Sequence, residues 1–227
     1  MNYFQAIFMN MKKEYDCILM DLDGTITDPG LGITRCVQFA LNHWGIEVES
    51  LQDLYCFIGP PLQESFMEFY HFSKEQTEAA ILKYRERFAA IGMYENEVYP
   101  GMENLLQELN RTGKKVMVAT SKPEIFARKI LEHFRLDSYF SFIGGASLDG
   151  LRSRKEEVIE YVLKTNHISD LSHVIMVGDR KYDIEGAKRC GLASVGVTYG
   201  YGSSEELSES GADIIAESVE ELKQSIL

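Results

Sequence analysis

Apolar positions along this chain follow two patterns. The first is a short run with little or no polar interruption, as a strand buried on both faces requires. Such runs occur at Cys17–Met20, Lys115–Ala119, Tyr139–Ile143, His173–Val177, Ala193–Val197 and Asp213–Ala216. The second has helical spacing. After Asp28-Pro29-Gly30, residues Ile33, Val37, Ala40, Leu41 and Trp44 share one face, and Gly45 is placed to end the helix. Ser50–Phe57 reads as a second short helix, and Ile58-Gly59-Pro60-Pro61 as a rigid turn. Phe66, Met67, Phe69 and Tyr70 fall on a third helix and read as its core face. Ser73-Lys74-Glu75-Gln76 has the form of a capping box opening a helix through Ala90. Between residues 31 and 92 no strand is predicted.

Beyond Tyr99-Pro100-Gly101 the two patterns alternate. Helices are predicted at Met102–Thr112, stopped by Gly113, and from Pro123, in the first turn, to about His133. Others start at Ser153, with Glu156 completing a capping box, and between Asp183 and Gly191. A last helix is capped by Ser218. Strands and helices alternating in this way predict an α/β fold with a doubly wound, Rossmann-like parallel sheet. The expected division is a core of residues 1–30 and 93–227, with an inserted helical segment of residues 31–92.

Composition narrows the function. The 227 residues are 45% hydrophobic, ample for a packed core, and the formal charge of -12 argues against a nucleic-acid polymer as partner. Cys17, Cys36, Cys56 and Cys190 form no C-x-x-C pair and read as reduced thiols of a cytoplasmic protein. No run approaches the roughly 18 apolar residues that cross a membrane. Met1–Met11 lacks the features of a signal peptide, and Met11-Lys12-Lys13 offers an alternative start.

The candidate chemistry sits where the predicted strands end. Asp21-Leu22-Asp23-Gly24-Thr25 closes the first apolar run. In an open α/β sheet, that end of the strand faces the ligand crevice. Two carboxylates spaced i, i+2 repel unless a cation, a shared proton or strong donors intervene, which points to Mg²⁺ with substrate phosphate oxygens. Thr120, Ser121 and Lys122 follow a second strand, and Asp179 and Asp183 a third. Lys155 lies in the first turn of a helix. His43, His71, His133, His167 and His173 show no metal-ligand spacing.

This set resembles the haloacid dehalogenase-like superfamily of phosphatases. Asp21–Thr25 matches its D-x-D-G-T motif, Thr120 its second, Lys155 its third and Gly178-Asp179-x-x-x-Asp183 its fourth. The insertion is similar to the helical cap of the phosphoglycolate phosphatase-like branch, some of whose relatives are 5′-nucleotidases. The resemblance implies that Asp21 is the nucleophile, Asp23 the general acid/base, Thr120 a phosphoryl ligand and Lys155 the partner of Asp21 and the phosphate. Mg²⁺ would be held by Asp21, Asp179, Asp183 and the main-chain carbonyl of Asp23. Leu22, Gly24, Thr25, Ser121 and Lys122 would cradle the phosphate. Where many members have Lys-Pro, this chain has Lys155-Glu156, so Arg152, Arg154 and Lys122 stand as alternative cations. Gly59 either faces the substrate or serves only to connect helices.

The expected activity is hydrolysis of a small phosphorylated metabolite by a monomer or homodimer. Phosphoglycolate ranks first and a nucleoside 5′-monophosphate second. A phosphomutase, or a non-catalytic module phosphorylated on aspartate, is the competing class.

Overall fold

A computed structural model describes residues 14–227, so the alternative start at Met11 lies outside the described residues. The described residues open with β1 (Cys17–Met20) and a two-residue strand, β2 (Thr27–Asp28). Helices α1 (Gly30–Asn42), α2 (Leu62–Tyr70) and α3 (Lys74–Ala90) follow, and the chain returns through β3 (Glu97–Val98), which pairs antiparallel with β2. Then come α4 (Met102–Arg111), β4 (Lys115–Pro123), α5 (Glu124–His133), β5 (Phe142–Ala146) and α6 (Lys155–Thr165). β6 (Val174–Gly178), α7 (Lys181–Arg189), β7 (Ala193–Val197), α8 (Ser204–Glu209), β8 (Ile214–Ala216) and α9 (Val219–Ile226) complete it. The six main strands pair in parallel in the order β5-β4-β1-β6-β7-β8.

Both faces of this sheet are covered, which explains the continuous apolar runs. Along β1, Ile18 and Met20 join the core on one face, with Leu41, Phe57 and Phe66. Cys17 and Leu19 turn to the other face and pack with Met117, Val158 and Met176. The two-residue side-chain period of a strand therefore divides one short segment between two cores.

Four expectations need correction. The predicted strand at Tyr139–Ile143 lies three residues later, at Phe142–Ala146, and Asp137–Tyr139 is a 3₁₀ turn. Gly144 and Gly145 belong to that strand because their neighbours are close: a Cβ on Gly145 would lie 2.6 Å from the Lys122 carbonyl. α6 starts at Lys155 rather than Ser153, and its capping carboxylate is Glu157, not Glu156. Glu157 Oε2 accepts the Ser153 and Arg154 N–H groups at 2.9 and 3.1 Å. Leu51–Phe57 is a 3₁₀ rather than an α-helix. Finally, the cluster on α2 divides: Phe66 is fully buried against Phe57 and Phe72, whereas Met67 is 44% exposed.

Candidate active site

β1 is the point where the sheet order reverses, with β4 on one side and β6 on the other. The crevice at its carboxyl end is where an open α/β sheet binds ligands. Asp21 is the first residue beyond β1, and its N–H donates to the Val177 carbonyl at 2.9 Å. The Leu22 carbonyl then accepts N–H groups from Thr25, Ile26 and Thr27 at 3.3, 2.9 and 3.0 Å. Gly24 takes a φ of +80°, and a Cβ there would overlap the Asp179 carboxylate, so glycine is required twice over. The turn sends Leu22 into the core and leaves Asp21 and Asp23 on the wall of a cavity.

Two lysines divide these aspartates. Lys155 Nζ lies 2.9 Å from Asp21 Oδ1 and 2.7 Å from Asp183 Oδ1, and donates to the Ala119 carbonyl at 3.0 Å. Lys122 Nζ lies 2.6 Å from Asp23 Oδ2, over the face of Phe88. The other two candidate cations are engaged elsewhere. Arg152 donates to the Gly145 carbonyl and stacks on Tyr161, while Arg154 is exposed near Glu64.

Carboxylate oxygens of Asp21, Asp179 and Asp183 lie within 4.8 Å of one another, all buried. The Asp23 side chain is not part of this group; its carboxylate faces Lys122 instead. Burial pushes the Asp179 carboxyl well above the ordinary range and Asp183 up to about 6, with nearby carboxylates adding to both. Burial also raises Asp23, against the pull of Lys122. For Lys155 burial works the other way, yet Asp183 and Asp21 hold its pKa above that of an ordinary lysine. Asp179 Oδ1 has neither a hydrogen-bond nor an ion-pair partner among the described residues. Three buried carboxylates grouped around one lysine, with an Asp179 oxygen left over, fit a hard divalent cation such as Mg²⁺.

The expected phosphate cradle is narrower than the motif implies. The Gly24 and Thr25 amides are spent inside their own turn, and the Lys122 N–H donates to Thr120 Oγ1 at 3.2 Å. Leu22, Gly24 and Thr25 lie off the cavity wall, whereas Thr120, Ser121, Lys122 and Gly59 are on it. Because Thr120 Oγ1 already accepts a hydrogen bond, its own proton is available to a ligand. The cavity encloses about 590 Å³, with Phe57, Tyr84, Phe88 and Phe126 in its walls. Arg85 also lines it, half-buried and without a hydrogen-bond or ion-pair partner among the described residues.

The loop after β7 is part of the site, and sequence reasoning missed it. The Tyr201 N–H donates to Asp179 Oδ2 at 2.8 Å, and the Tyr201 hydroxyl donates to Asp28. A Cβ on Gly200 would lie 2.5 Å from Asp179 Cβ. The signal was present: Tyr199-Gly200-Tyr201-Gly202 follows directly on a strand end of the same sheet.

Comparison with known proteins places this geometry. The model of the haloacid dehalogenase-like hydrolases matches residues 18–197. A 5′-nucleotidase of Pseudomonas aeruginosa is 49% identical, covering 85% of this chain and 87% of that protein. A tyrosine-protein kinase, PtkA, of Mycobacterium tuberculosis is 35% identical over 92% of this chain and 72% of its own. A phosphoglycolate phosphatase of Vibrio parahaemolyticus is 30% identical over 95% and 97%. The crystal structure of a predicted phosphatase from Clostridium acetobutylicum superposes with a TM-score of 0.91 at 50% identity, over 93% and 97% of the two chains.

Proposed function

The chain belongs to the haloacid dehalogenase-like hydrolases and is a phosphoric monoester hydrolase; on that premise we propose that it acts on nucleoside 5′-monophosphates. The observation that carries this reading is the cavity above Asp21 and Asp23. At about 590 Å³ it exceeds what a two-carbon phosphoester would fill, and it lies in the range of pockets that enclose drug-sized ligands. Its aromatic walls suit a flat base, for which one stacking contact is worth about 1–3 kcal/mol. The relative named 5′-nucleotidase supports the same ranking. Phosphoglycolate stands second, favoured by Arg85, whose guanidinium, unpaired among the described residues, could receive a carboxylate.

Residues 31–92 act in this reading as a cap over the sheet. Asp21 attacks phosphorus: its Oδ–P bond forms while the ester P–O bond breaks, and Asp23 gives its proton to the departing oxygen. Asp23 then takes a proton from water as that water attacks the aspartyl phosphate, and the P–O bond to Asp21 breaks to release phosphate. The raised pKa of Asp23 suits the first of these roles. Lys155 pairs with Asp21 and aligns it, and the Thr120 hydroxyl donates to a phosphoryl oxygen. Asp21, Asp179 and Asp183 would hold Mg²⁺, which supplies positive charge against the phosphoryl group when bound.

Phosphate release is measured with Mg²⁺ from nucleoside monophosphates and 2-phosphoglycolate, with wild type and Asp21→Asn side by side. The expected result is metal-dependent release, greatest from a nucleotide and reduced to background by Asp21→Asn. A clear preference for 2-phosphoglycolate overturns the nucleotide assignment. Release that survives Asp21→Asn overturns the mechanism.

A further inference from the structure

Arg180 follows Asp179 in the chain, yet its side chain hydrogen-bonds to none of the clustered carboxylates. It reaches instead from the sheet to the helical segment. Its Nη1 donates to the Ile58 carbonyl, which receives no backbone donor among the described residues. Its Nε donates to Glu206 Oε1 at 2.9 Å, and the same oxygen accepts the Lys181 N–H at 2.8 Å. Glu206 thus orients the guanidinium and the start of α7 together. The group is 13% exposed, so these charge-assisted bonds are largely shielded from water.

The turn that Arg180 holds is shaped to rest on it. Gly59 takes a φ of +109°, and a Cβ there would lie 2.8 Å from Arg180 Cγ. Gly59, Pro60 and Pro61 also form part of the cavity wall beside Asp21 and Asp23. Two prolines limit the turn's internal freedom, so its position depends on what anchors its ends. One end continues into α2; the other is the Ile58 carbonyl.

We propose that Arg180 is a positioning residue that seats the Ile58–Pro61 turn over the reacting carboxylates, and so sets the preference for esters with large leaving groups. A leaving group long enough to touch the turn gains from a seated wall, and a small one does not. The kinetic consequence rests on the phosphomonoesterase reading; the seating itself does not.

Arg180→Ala, Arg180→Lys and Glu206→Gln are compared with wild type on a nucleoside monophosphate and on acetyl phosphate. Acetyl phosphate has a leaving group too small to reach the turn. Arg180→Ala is expected to lower kcat/KM for the nucleotide about tenfold or more, chiefly through KM, with acetyl phosphate changed less than about twofold. Arg180→Lys keeps the charge but loses the fork, and is expected to recover part of the loss. An equal loss on both substrates, or no loss on either, overturns the proposal. Hydrogen exchange is followed in parallel at the amides of Phe57, Ile58, Gly59 and Leu62. These are expected to exchange about tenfold faster in Arg180→Ala while β1 stays protected. Unchanged exchange overturns the seating even if wild type hydrolyses neither compound. Should Arg180→Ala not fold, Arg180→Lys and Glu206→Gln carry the same two comparisons.

Discussion

Lys155 makes three contacts from a side chain that is almost wholly buried: Asp21, Asp183 and the Ala119 carbonyl. Removing one member of a buried charge group costs far more than the group contributes, because the remaining charges are left unpaired. Lys155→Met, which keeps the length and removes the charge, is therefore expected to lower metal-free stability by about 3–5 kcal/mol, read by urea denaturation. It is also expected to abolish phosphate release. Full stability would show that Asp21 and Asp183 do not depend on the ammonium. At this scale the sequence shows which residue types stand at the strand ends but not their pairings. Lys155, Lys122, Arg152 and Arg154 were all open as the cation beside Asp21, since nothing in their spacing says where each long side chain ends.

At the scale of elements, close approach matters more than propensity. α1 lies against the backbone at Gly92–Glu95, and the Gly32 N–H donates to the Glu95 carbonyl at 3.0 Å. The Glu95 carboxylate meets Arg35 and Arg87, each at 2.7 Å, which draws the two ends of the helical segment together. A Cβ on Gly32 would overlap the Gly92 carbonyl and lie 2.7 Å from that of Glu95. Gly32→Ala is expected to destabilise by about 1–3 kcal/mol, although alanine is the better helix former, and thermal unfolding measures it. A rise in Tm would mean that propensity outweighs the contact. The displaced β5 has the same cause: its glycines look like a break in the sequence, and they serve close packing in the fold.

At the scale of the molecule, the buried acids couple stability to pH and metal. The Asp179 and Asp183 carboxyls are raised in the folded state, so the folded chain binds protons more readily there than the unfolded chain. The cost of Asp183 is full above about 6, its raised value, and is released as pH falls toward the ordinary 3.8; Asp179 acts in the same direction. Glu95 and Glu157 are lowered instead, so their contribution is lost only at more acidic pH. In EDTA, Tm is expected to rise between pH 7.5 and about 5.5. Saturating Mg²⁺ should raise Tm most at the higher pH, because cation and proton compete for the same oxygens. A metal-induced shift independent of pH would contradict the assignment of these carboxylates as ligands.

The sequence by itself determined the parallel sheet, the helical insertion and the acids at the carboxyl ends of the strands. These follow from short-range rules: a strand covered on both faces is apolar throughout, and a residue just past its end stands at the crevice. Tertiary structure alone decided which lysine meets which aspartate. It also brought Phe57, Tyr84, Phe88 and Phe126 around one cavity and set Arg180 against the carbonyl of Ile58, 122 residues away. Such contacts depend on how separate layers pack and where long side chains terminate, and local periodicity carries no record of either.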